Sequence, residues 1–147
     1  MKKFIIMFAV IGIGSLLLGY KVMADDRELA RVPLDHYLQG HSTGNPEFMR
    51  KAFHPEARIM SFRDGKMTNL SVEEFAGRFS GKLAEDEVQR KRTIESIDVF
   101  GNAASAKIVL DYPNIKFTDY MNLLKIDGEW KIVNKSFHAE PKQKSPK

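Results

Sequence analysis

Asp119 and His138 are the residues best suited to acid–base chemistry, because a carboxylate that orients an imidazole is the minimum arrangement for moving a proton. They lie on either side of Asp127-Gly128, a dipeptide that favours the left-handed conformations of a two-residue hairpin. Such a loop pairs Ile126 with Glu129, and directly paired residues share a face. One face then holds Trp130, Leu123 with Ile132, Met121 with Asn134, Asp119 with Ser136, and Phe117 with His138. The other holds Leu124 with Lys131, Asn122 with Val133, Tyr120 with Lys135, and Thr118 with Phe137. The first face is apolar near the turn and polar beyond it, so it is expected to lie under the helices. A single bulge would reverse the assignment beyond its position.

Four polar groups converging on a buried face need partners, since an unsatisfied buried group costs about 1–3 kcal/mol. Two explanations stand side by side. In one, Asp119 orients His138 and Asn134 bonds backbone, giving a self-satisfied network. In the other, Asp119, Asn134, Ser136 and His138 form the polar floor of a half-open pocket, with Tyr37, Phe53, His54, Phe117, Met121 and Trp130 around it. His36 and His41 diverge by about 140° on a helix and cannot share a metal, so no metal site is expected, nor any cofactor. His54, between Phe53 and Pro55, suits the C-terminal end of a helix, where its imidazole meets the dipole. Arg90-Lys91-Arg92 reads as a solvated edge beside Glu85, Asp86 and Glu87. No phosphate-binding glycine loop and no nucleophile elbow is present.

The elements that must position these groups divide the chain in two. Residues 1–24 resemble a secretory leader: Lys2 and Lys3, an uncharged run from Phe4 to Tyr20, then Val22-Met23-Ala24. The run is long enough to allow an uncleaved anchor as the alternative. Either way the domain is expected outside the cytoplasm, periplasmic or secreted, and off the membrane once the leader is cut. Without Lys2, Lys3 and Lys21 the 23 Lys+Arg fall to 20 against 19 Asp+Glu, a net of +1 that does not favour nucleic acid. Cysteine is absent, which excludes disulfides and thiolate chemistry.

Residues 25–139 read as one domain. Leu34, Tyr37 and Leu38 mark a first helix, with Pro33 in its first turn or at a kink and an end at Gly40 to Gly44. Asn45-Pro46 caps and starts a second helix, whose face is Phe48, Ala52 and Phe53 and whose stop is Pro55. Asp64-Gly65 closes a hairpin. Ser71 and Glu74 form a capping box for a third helix that runs on through Phe75 and Phe79 to Gly81. Four strands follow from Val88, with Gly101-Asn102 pairing Val99 with Ala104 and Ile97 with Ala106. That register turns Glu95 inward unless a bulge lies near Ser96. Helices followed by a meander of antiparallel strands imply an α+β domain. Residues 140–147, with two prolines and three lysines, suit a disordered tail.

Asn45 to Ala57 (NPEFMRKAFHPEA), Asp64-Gly65-Lys66 and Phe117 to His138 (FTDYMNLLKIDGEWKIVNKSFH) resemble the putative lumazine-binding family of the nuclear transport factor 2-like superfamily. The resemblance implies a cone, three N-terminal helices packed on a strongly curved antiparallel sheet with a pocket at the open end. It also implies a small hydrophobic or aromatic ligand. Superfamily relatives include ketosteroid isomerases, scytalone dehydratase and polyketide cyclases, so the alternative is an isomerase or dehydratase with Asp119 and His138 as catalytic pair. The partly apolar outer face of Tyr120, Leu124, Val133 and Phe137 suggests a homodimer, and a homodimerising interaction module is the third reading.

Overall fold

The computed structural model describes residues 8–143, with side chains from 26 onward. Residues 1–7 of the leader and 144–147 of the tail lie outside the described residues, and the rest of the leader is described by its backbone alone, as the first turns of a helix. Helix α1 (Phe8–Thr43) turns Ala30, Leu34, Tyr37 and the ring of His41 towards the core, a spacing of one helical face. Pro33 sits within this helix, well away from its start. Gly44 ends it at φ 70°, where a Cβ would come within 2.1 Å of the Lys82 carbonyl oxygen, so only glycine fits.

Helix α2 (Pro46–Ala52) starts as expected, with the Glu47 N–H donating to Asn45 Oδ1 at 2.9 Å. Helix α3 (Val72–Ala76) is capped by the Ser71–Glu74 box, the two bonds measuring 2.7 and 3.2 Å. It is shorter than its apolar spacing suggests, because Gly77 caps it and the chain turns on towards Phe79.

Six strands make one sheet in the order β2-β1-β6-β5-β4-β3: β1 (Phe53–Arg63), β2 (Lys66–Leu70), β3 (Lys91–Phe100), β4 (Ala103–Asp111), β5 (Ile115–Ile126) and β6 (Glu129–Pro141). The sheet is mixed rather than wholly antiparallel, since β1 runs parallel to β6. This pairing joins the two ends of the domain and has no turn to announce it. Both Asp-Gly hairpins form with left-handed backbone at each residue, φ 52° and 73° at Asp64 and Gly65, and 50° and 85° at Asp127 and Gly128.

A bulge between Ile94 and Ser96 returns Glu95 to solvent, where it pairs with Lys107 at 2.8 Å. The β6 strand continues to Pro141, and the Lys142 N–H reaches the Asn114 carbonyl at 2.9 Å, so ordered structure extends beyond residue 139. The core fills the concave side: Leu34, Tyr37, Phe53, Ile59, Ile108, Leu110, Met121, Leu123 and Ile132 are fully buried between helices and sheet.

Candidate functional site

The register of β5 and β6 decides what enters the cone. From Asp127-Gly128 it runs as expected to Leu123 with Ile132, and then Val133 stands as an extra residue in β6. Beyond it Asn122 faces Asn134, Met121 faces Lys135, Asp119 faces Phe137 and Phe117 faces Ala139. Asp119 keeps its inward orientation, fully buried. Asn134, Ser136 and His138 change sides, which corrects the polar floor expected from an unbroken ladder. Ser136 and His138 are exposed, and Asn134 bonds the Arg58 carbonyl across the sheet at 3.4 Å. Lys135 and Phe137, expected outside, turn inward in their place.

Lys135 is 3% exposed and meets a carboxylate and a phenol. Its Nζ donates to Tyr37 Oη at 2.6 Å, and Tyr37 Oη donates to Asp119 Oδ2 at 2.6 Å. Nζ also lies 3.2 Å from Asp119 Oδ1. The chain Lys135 to Tyr37 to Asp119 thus links β6, α1 and β5, and successive bonds of this kind polarise one another. Burial holds the Tyr37 phenol well above its ordinary range, with Asp119 adding to the effect, so the hydroxyl is the donor to the carboxylate. Burial also lowers Lys135 against the opposing pull of Asp119. Its ammonium is surrounded by rings, 4.9 Å from the centroid of Tyr37, 5.1 Å from Phe75 and 4.5 Å from Phe137.

Phe137 has a second neighbour. With Phe117 and His138 it lines a cleft of about 580 Å³ between the β1–β2 hairpin and the β5–β6 ladder. Arg63, Lys66 and Arg78 stand around the cleft with one carboxylate, Asp64, among them. An aromatic wall and a mostly cationic rim suit a flat ligand that carries negative charge. Of the residues expected at a pocket, the cleft therefore gathers Phe117 and His138. Tyr37 and Asp119 lie behind Phe137, while Phe53 and Met121 belong to the packed core. His54 accepts the Glu56 N–H at the start of β1, where Phe53, not His54, caps α2. Trp130 lines a separate groove of about 300 Å³ with Leu29, Val32 and His36.

The residues that the linear pattern missed are Lys135, Phe137 and the arginines. One signal was present: apolar residues fall at even positions through Trp130 and Ile132, then at Val133 and Phe137, a change of parity that a bulge produces.

The chain matches the family described as "Putative lumazine-binding" over residues 25–138. It belongs to the putative lumazine-binding family. The fold is nuclear transport factor 2-like, as in a protein of unknown function from Shewanella baltica OS155, which is 29% identical, covers 81% of this chain and 97% of its own, and superposes with a TM-score of 0.73. A second such protein of unknown function, from Methylobacillus flagellatus KT, is 31% identical, with 79% and 93% covered and a TM-score of 0.69. Among curated proteins, the aldolase FrzH of Cladobotryum sp is 22% identical over 106 residues, 72% of this chain and 85% of that one.

In this lumazine-binding-family chain a second polar cluster adjoins the Lys135–Tyr37–Asp119 chain, with His41 packed on Tyr37. Arg92 folds inward, contrary to the solvated edge expected for it: its guanidinium grips Glu87 at 2.6 and 2.7 Å, the His41 carbonyl at 3.1 Å and Tyr112 Oη at 3.3 Å. His41 packs edge-on against Tyr37 and Phe79, with Nδ1 3.3 Å from Tyr112 Oη. Burial, with Lys135, Arg92 and Arg90 nearby, holds His41 well below its ordinary 6.5, so it is neutral. The unfolded chain accepts a proton near 6.5 that the folded chain refuses. Stability is accordingly expected to fall as pH drops below about 6.5 and to be indifferent to this group above it. Urea unfolding of the native chain and His41→Gln across that range checks this: the variant should lose part of the slope. Equal slopes would show that His41 titrates freely.

Proposed function

We propose that this chain is an exported small-ligand-binding protein that takes a compact aromatic, negatively charged molecule in the cleft beside Phe137. The observation that carries the reading is the cleft itself, aromatic at Phe117 and Phe137 and ringed by Arg63, Lys66 and Arg78. The leader-like residues 1–24 support export, and the name of the family supports a bicyclic heteroaromatic ligand. Thermal-shift screening of lumazine, pterins, flavins and aromatic carboxylates, followed by calorimetry, tests it. A hit should weaken about tenfold or more in Phe137→Ala, and about threefold to tenfold in Arg78→Gln, as expected for loss of a stacking wall and of one charge-assisted contact. Hits that are indifferent to both substitutions would move the ligand elsewhere.

A second reading, acid–base catalysis, is favoured by the buried tyrosine–aspartate–lysine chain and by the similarity to an aldolase. Here Asp119 would work with Tyr37 and Lys135, not with His138, which the bulge sends to the exposed side. A homodimer through the outer face, where Tyr120 is 55% and Leu124 42% exposed, is part of the proposal. Gel filtration of Tyr120→Asp should then shift the native dimer to monomer.

A further inference from the structure

We propose that Lys135 is a carbonyl-capturing amine: it condenses with an aldehyde or ketone that enters from the cleft when the Phe137 ring swings aside. The inference goes beyond reversible binding and rests on that reading only for the route of entry.

Three observations carry it. The Val133 bulge re-aims one lysine from the outer face into the cone, and bulges recur where a side chain must be aimed at a site. Lys135 Nζ lies 4.5 Å from the centroid of Phe137, and the same ring lines the cleft, so one half-buried side chain separates amine from ligand space. Finally, Tyr37 and Asp119 hold the amine at 2.6 and 3.2 Å, which places a carboxylate proton acceptor beside the reacting nitrogen and a hydroxyl that accepts from it and donates on to that carboxylate. A desolvated lysine is also a stronger nucleophile at neutral pH than an exposed one, because burial disfavours its ammonium form.

The step balances without a co-reactant. The Lys135 ammonium passes one proton to the Asp119 carboxylate, and the free amine attacks the carbonyl carbon, forming a C–N bond. The C=O π bond breaks onto oxygen, one of the two amine protons passes to that oxygen, and the resulting carbinolamine keeps the other on nitrogen. Asp119, through Tyr37, returns its proton to the carbinolamine oxygen, the C–O bond breaks and water leaves. An iminium then stands where the ammonium stood, still paired with the Asp119 carboxylate. A structural lysine gains nothing from Phe137 facing a cleft; an amine that receives a carbonyl needs such an opening.

The test uses the full chain with two probes, 4-carboxybenzaldehyde and propionaldehyde, each trapped with sodium cyanoborohydride and mapped by peptide mass spectrometry. Lys135 should be alkylated about tenfold faster than exposed lysines away from the cleft such as Lys82, and faster again in Phe137→Ala. Phe137→Leu, which keeps most of the volume, guards against a loss of folding in the alanine variant. The pair Asp119→Leu/Lys135→Met should fold and show only the surface adducts. If Lys135 remains unmodified in the native chain while exposed lysines react, the proposal fails, and labelling confined to Phe137→Ala overturns it equally. Propionaldehyde has neither the ring nor the charge that the cleft favours. Its capture by Lys135, with no calorimetric binding of aromatic carboxylates, would retain this inference and reject the ligand class. Binding without capture would do the reverse.

Discussion

Removing Asp119 is expected to cost about 3–5 kcal/mol of folding stability, because Asp119→Ala leaves the Lys135 ammonium buried with no counter-charge. The effect is large for a group that makes two short contacts. Both partners are dry, Asp119 fully and Lys135 nearly so, and the penalty is the desolvated charge left behind rather than the bond removed. Lys135→Met should be similarly costly, since it strips the cation from a carboxylate that only Tyr37 then satisfies. The double change Asp119→Leu/Lys135→Met removes both charges and fills the space but leaves the buried Tyr37 hydroxyl without its two partners, so it should recover much of the loss and lie within about 1–3 kcal/mol of the native chain. Urea unfolding of the four proteins measures the coupling directly. Single changes that each cost less than about 1 kcal/mol would mean that water reaches the pair.

The second large effect concerns a residue with no polar atom in its side chain. Deleting Val133 removes the extra residue of β6 and restores the unbroken ladder, in which Lys135 faces out and Asn134, Ser136 and His138 face in. Asp119 then loses its cation, and three polar side chains enter an apolar cone. A loss of more than about 4 kcal/mol is expected, a large share of the roughly 5–15 kcal/mol that holds a domain folded. Val133→Ala keeps the bulge and trims a half-buried side chain, so it should cost no more than about 1 kcal/mol. Thermal unfolding of the two separates them. A deletion variant as stable as Val133→Ala would show that the register is held from elsewhere.

Much of this fold could be read locally. Asn45-Pro46, the Ser71–Glu74 box and the two Asp-Gly turns act within four residues, and each appears in the structure as the linear pattern implies. The hairpin register also holds while it stays near its turn, through Leu123 with Ile132. It fails at the next residue, and with it goes most of the expected site. Glu95 was the milder case, since a bulge there was already suggested by an acid placed opposite Ile108. The parallel seam of β1 on β6 had no local sign, because no turn joins the two strands.

What the sequence determined by itself is the family, the order of helices and strands, and the starts and stops that depend on backbone sterics and short-range hydrogen bonds. What only the tertiary structure decided is which polar groups lie inside. Alternation along β6 offers either Asn134, Ser136 and His138, or Lys135 and Phe137. Asp119 and Tyr37 meet across 82 residues of chain, and a buried carboxylate favours the strand register that brings a cation to it. That choice is a competition between desolvation and pairing, and it exists only once the sheet has closed over α1.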